Sequence, residues 1–128
     1  MTTASDILII EDDEMLRDLL AEWLEAVGYR VRLASGGSAG LAAVRDHPPA
    51  LVVTDIHMPG CDGATVITEL KRTHPAIPVI AISGRFRCGH GLTPEGAIAL
   101  GAARALAKPF QRNEMVEAVA DLVGRARA

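Results

Sequence analysis

The run from Leu51 through Val52, Val53, Thr54, Asp55, Ile56 and His57 to Met58-Pro59-Gly60-Cys61-Asp62-Gly63 limits what this chain can become more than any other stretch. A β-branched apolar run predicts a buried strand, yet this one meets a carboxylate and then breaks on Pro59 and Gly60. Asp55 therefore stands where a buried strand reaches solvent, the edge at which open α/β sheets place their ligands. Alone, such an Asp would be a strand-end cap. Three further apolar runs end the same way: Ile7 to Ile10 runs into Glu11-Asp12-Asp13, Val79 to Ile82 into Ser83, and Ala105 to Ala107 into Lys108.

Between these runs the period changes from two to that of a helix. Leu16, Leu19, Leu20, Trp23, Leu24 and Val27 recur at helical spacing, with Arg17, Asp18, Glu22 and Glu25 on the other side, and Gly28 closes the helix as a left-handed cap. Tyr29 to Ala34 reads as a second strand and Ser38 to Arg45 as a short helix stopped by Pro48 and Pro49. Gly63 to Thr73 is a third helix, ended by His74-Pro75. Thr93-Pro94-Glu95 opens a fourth, which ends near Gly101, followed by a strand over Ala103 to Ala107 and a last helix from Asn113 to Arg125. Strict alternation of this kind predicts a parallel sheet with right-handed crossovers and helices on both faces. Gly84 to Gly96 is the one long loop, rich in glycine and without periodicity.

A length of 128 residues fits a single domain with no second one, and no linker, repeat or low-complexity segment is left over. With 49% hydrophobic but only 3% aromatic residues, the core must be aliphatic. A net charge of -3 offers no basic field to a phosphate backbone, which argues against direct nucleic-acid binding. The N-terminus lacks the basic segment of a secretory signal, and no window holds eighteen uncharged apolar residues, so a soluble cytoplasmic protein without membrane association is expected. Cys61 and Cys88 lie in separate glycine-flanked loops and are expected to be free thiols. Cys88 with His90 gives only two of the ligands a zinc site needs.

A doubly wound sheet gathers the carboxyl ends of its central strands, so Glu11, Asp12, Asp55, Ser83 and Lys108 should meet at one edge. Carboxylates packed there repel by about 4 kcal/mol per pair at about 4 Å and an effective dielectric of about 20, and a cation must offset this. Oxygen ligands in this number suit hydrated magnesium better than calcium. A metal, a lysine, a hydroxyl and a forward carboxylate are equipped to handle a phosphoryl group: the cations neutralise its oxygens, Ser83 donates a hydrogen bond, and Asp55 attacks to form an acyl phosphate. A resting ion pair between Lys108 and Asp55 is compatible with that chemistry.

Ile-Ile-Glu-Asp-Asp-Glu from Ile9, Thr-Asp-Ile-His-Met-Pro-Gly-Cys-Asp-Gly from Thr54, Ile-Ser-Gly from Ile82, and Leu-Gly-Ala-Ala-Arg-Ala-Leu-Ala-Lys-Pro-Phe from Leu100 together resemble the receiver domain of bacterial two-component response regulators, over essentially the whole chain. The resemblance implies a flavodoxin-like α/β fold, a five-stranded parallel sheet in the order 2-1-3-4-5. Asp55 would accept phosphate from a sensor histidine kinase or a histidine phosphotransfer protein. Glu11 and Asp12 would form the acidic pair, and Asp12, Asp55 and the His57 carbonyl would ligate Mg2+. Ser83 would be the switch hydroxyl, Lys108 the phosphate-binding lysine, and Lys108-Pro109 a cis bond. By the same resemblance, His57 and Arg85 would tune the lifetime of the acyl phosphate.

Two features depart from the family pattern. Ala105 stands where an aromatic residue is usual, and the segment between Ser83 and Lys108 is a few residues longer. Both point to signalling through the loop Gly84 to Gly96, with Arg85, Phe86 and Arg87 presented to a partner. The expected function is thus a phosphorylation-controlled binding module. The alternative is a phosphorelay shuttle that passes phosphate on to a histidine phosphotransfer protein. A flavin carrier on this fold is disfavoured because Glu11-Asp12-Asp13 would repel a flavin phosphate, and a small-molecule phosphatase would need a substrate pocket.

Overall fold

The computed structural model describes residues 5–57, 63–84 and 93–125. Five strands, β1 (Asp6–Ile10), β2 (Arg30–Ala34), β3 (Leu51–Asp55), β4 (Val79–Ser83) and β5 (Arg104–Ala107), alternate with five helices. These are α1 (Glu14–Ala26), α2 (Gly37–Asp46), α3 (Gly63–Thr73), α4 (Pro94–Leu100) and α5 (Arg112–Val123). Every strand pair is parallel and the order is β2-β1-β3-β4-β5, as expected.

The order follows from burial. All five residues of β3 and of β4 are buried, as a central strand covered on both faces requires. The edge strands β2 and β5 expose Arg30, Leu33 and Arg104. Alternate side chains feed two aliphatic cores. Leu8, Ile10, Val52, Val79 and Ala81 meet Val44 of α2, Val66, Ile67 and Leu70 of α3, and Ala97 of α4. On the other face Ile7, Ile9, Val53, Ile80 and Ile82 meet Leu20 and Leu24 of α1 and Met115, Ala118 and Val119 of α5. Each fully buried Leu, Ile or Met contributes about 1.5–3 kcal/mol relative to exposure.

Local chemistry sets the helix ends. The Asp13 side chain accepts from the Met15 and Leu16 amides and starts α1. Gly28, at φ 100°, ends its approach to β2 in the left-handed region, as anticipated. Thr93 caps α4 with Pro94 in its first turn, and Gln111 with Glu114 forms a capping box on α5.

Several boundaries differ from the sequence reading by a residue or two. Tyr29 precedes β2 because its amide donates to the Leu24 carbonyl of α1 at 3.1 Å; its ring is buried and its hydroxyl donates to the Gly124 carbonyl at 2.7 Å. Helix α2 begins at Gly37, β5 begins at Arg104, and α5 ends at Val123 because Gly124 adopts φ 82°. Leu19, placed on the inner stripe of α1 by its spacing, is 40% exposed, and Met15 at the same end of the helix is 83% exposed. The Lys108-Pro109 bond is cis. Among the described residues no helix is long and apolar enough to cross a membrane.

Candidate functional site

The carboxyl edge of the sheet brings Glu11, Asp12, Asp55 and Lys108 together. Strand β3 delivers Asp55, 4% exposed, and β1 delivers Glu11, which is fully buried. Lys108, just past β5, bridges them: its Nζ lies 3.0 Å from Glu11 Oε1 and 3.0 Å from Asp55 Oδ2. The other oxygens are also occupied. Asp55 Oδ1 accepts from the His57 amide at 3.1 Å, and Glu11 Oε2 accepts from the Asp13 amide at 3.1 Å. Asp12 is exposed beside them, and one carboxylate oxygen from each of Glu11, Asp12 and Asp55 falls within 4.8 Å of the others.

Ser83 is fully buried at the end of β4, one residue beyond Ile82, the register partner of Asp55. Its carbonyl accepts from the Lys108 amide at 2.9 Å, so the strand ends carrying the hydroxyl and the lysine are tied together. The side chain of His57 holds a buried Nε2 that finds no hydrogen-bond partner among the described residues. Arg85, Phe86, Arg87, Cys61, Cys88, His90 and all of the Gly84 to Gly96 loop except Gly84 and residues 93–96 lie outside the described residues.

The electrostatics follow from a buried acid facing a second acid. Burial pushes the Glu11 carboxyl up from 4.5 to about 7; the Asp55 charge adds to this, while the Asp13 amide and Lys108 oppose it. For Lys108 burial favours the neutral form, but hydrogen bonds and charge attraction from Asp55 and Glu11 outweigh it and raise its pKa. Lys108 is therefore a fixed cation in this site.

Arg17 is a contributor that spacing placed on the solvent side of α1. Its Nη1 donates to the Glu11 carbonyl at 3.1 Å and so holds the turn that carries the acids. The sequence carries no distinguishing mark for this role, since helical spacing gives the side of α1 that Arg17 occupies and not where its long side chain reaches. Asp13, by contrast, carried the signal of an N-cap.

An apolar groove of about 420 Å³ opens beside this cluster, lined by Asp13, Leu16, Leu19, Trp23, Lys108, Pro109 and Phe110. Trp23 and Phe110 meet edge to face, with ring centroids 6.3 Å apart.

Acids and a lysine at the carboxyl edge of a 2-1-3-4-5 sheet define a doubly wound α/β signalling domain of the receiver class. The chain belongs to the response regulator receiver domain family, which matches residues 7–120. It is 36% identical over 115 residues to the nitrogen assimilation regulatory protein NtrX of Azorhizobium caulinodans, covering 88% of this chain and 25% of that protein. It is 31% identical over 128 residues to the transcriptional regulatory protein FixJ of Bradyrhizobium diazoefficiens, covering 98% of this chain and 60% of that protein. The chain thus spans about a quarter of the length of the NtrX relatives. Among solved structures, the receiver domain of NtrX from Brucella abortus superposes with a TM-score of 0.84 at 34% identity, covering 92% of this chain and 98% of that one. A receiver domain from Clostridium thermocellum gives 0.83 at 25% identity, covering 93% of this chain and 94% of that one.

Proposed function

We propose that this chain, acting as a single receiver domain, is a phosphoacceptor that takes a phosphoryl group onto Asp55 from the phosphohistidine of a sensor histidine kinase, and that the modified form changes its protein contacts. The observation that supports this most is the Lys108 ammonium bridging Asp55 and Glu11 at 3.0 Å each, with Asp12 alongside. Glu11 shares the lysine and also has a backbone amide on its other oxygen, but it is fully buried and its carboxyl is pushed up to about 7, whereas Asp55 is the last residue of the central strand β3 and is 4% exposed.

In the reaction a carboxylate oxygen of Asp55 attacks phosphorus, the bond to the donor imidazole nitrogen breaks, and its electron pair stays on the imidazole. Lys108, 3.0 Å from Asp55 Oδ2, would follow the charge from the carboxylate to the phosphoryl oxygens, and Ser83, at the neighbouring strand end, would hydrogen-bond one of them. The acid cluster fits magnesium, because few carboxylates converge and one of them, Asp12, is open to water. Asp12, Asp55 and the His57 carbonyl would hold it, with Glu11, both of whose oxygens already accept a hydrogen bond, completing the acid pair. When bound, magnesium would supply positive charge to the transferring group.

Labelling by acetyl phosphate tests the reading. It should require magnesium and stop on chelation, and Asp12→Asn should lose the stabilisation that magnesium gives in thermal melts while its metal-free fold is no less stable. Labelling that proceeds equally well in excess chelator would contradict it.

A further inference from the structure

Gly63 opens α3, is buried, and donates its amide to the Ile56 carbonyl at 2.9 Å. A Cβ built on it would lie 2.3 Å from the Asp55 carbonyl oxygen, 2.5 Å from Ile56 Cα and 3.0 Å from the Asp55 carbonyl carbon. All three are backbone atoms of the strand end that carries the phosphoacceptor. Gly40 differs in kind: the three atoms nearest a Cβ there all belong to the buried Ile10 side chain, 2.3 Å from its Cδ1 and 2.7 Å from its Cγ1, and none is backbone of the strand end that carries Asp55. What excludes a side chain at Gly63 is its proximity to that backbone.

The Asp55 backbone has little room to yield. Its carbonyl accepts from Thr54 Oγ1 at 3.0 Å, and the next amide, Ile56, donates to the Ile82 carbonyl at 3.0 Å. A side chain at 63 must therefore lift the first turn of α3 or push the end of β3, and the second of these displaces the Asp55 carboxylate from Lys108 and the His57 amide.

We propose that Gly63 is a positioning residue: its missing side chain lets α3 seat directly on the Asp55–Ile56 backbone and fixes where the Asp55 carboxylate stands relative to Asp12 and Lys108. The assignment rests on the phosphoacceptor reading above. A misplacement of about 1 Å costs about 10²-fold in rate where reaction depends on alignment.

The test compares the 128-residue chain with Gly63→Ala and Gly40→Ala, all measured where circular dichroism shows each to be folded. Gly63→Ala should bind magnesium at least about tenfold more weakly and label with acetyl phosphate about 10²-fold more slowly. Gly40→Ala should lose thermal stability while keeping both properties. If Gly63→Ala is unfolded in buffer, trimethylamine oxide, which favours the compact state, is added to all three proteins. Unchanged magnesium affinity and labelling in folded Gly63→Ala would overturn the proposal. A chain that stays unfolded in the osmolyte would also overturn it, by making glycine a requirement of the fold instead of the site. Absence of labelling in the wild-type chain would instead refute the phosphoacceptor reading.

Discussion

Glu11 is where burial and charge conflict most sharply, and its titration gives a direct handle on the site. Its carboxyl titrates near 7 in the folded chain and near the ordinary 4.5 when unfolded. Between those values the folded state keeps a proton that the unfolded state has released, so its contribution to stability is full below about 4.5 and lost as pH rises through about 7. In metal-free buffer the wild-type chain should therefore lose stability with rising pH across that window relative to Glu11→Gln, and the two curves should run parallel above it. Urea unfolding at a series of pH values measures this. Parallel curves throughout would show that the proton is held elsewhere. The residues that a strand end announces, Asp55, Ser83 and Lys108, were legible because a polar side chain terminating an apolar run has few structural explanations. Arg17 was not, because helical spacing reports which side of α1 a residue occupies and not whether a long side chain folds back to the Glu11 carbonyl.

At the scale of elements, the strand pattern was legible to within a residue or two, since β3 and β4 are buried on both faces and read as continuous apolar runs. Helix α1 was read less well. Its apolar positions exceed what the sheet can cover, leaving Met15 and Leu19 exposed and Leu16 and Trp23 lining the groove against Pro109 and Phe110. That groove begins at Lys108, so a phosphodonor protein delivering its histidine to Asp55 would meet it. Leu19→Asp, a change at a partly exposed position, should leave labelling by acetyl phosphate unchanged and slow transfer from the cognate kinase by about tenfold, the cost of losing one good apolar contact. Equal slowing with both donors would place the effect at the reaction centre and not at docking.

For the whole molecule, the fold places two aliphatic cores behind one polar edge, and the polar edge is assembled from residues as far apart in sequence as Glu11 and Lys108. The 2-1-3-4-5 order makes this convergence possible, because it sets β1 beside β3 at the centre and carries β5 close enough for a lysine to span β4. Ala105 is half-buried on β5 among the residues packed against the α2–α3–α4 face, so no aromatic ring is present at that position to move when the site changes charge. Phosphorylation is expected at Asp55. Mass spectrometry of the wild-type chain and Asp55→Asn, each incubated with acetyl phosphate and magnesium, tests it most directly. One phosphoryl group is expected on the wild-type chain, mapped to Asp55, and none on the variant; stoichiometric labelling of Asp55→Asn would contradict this assignment.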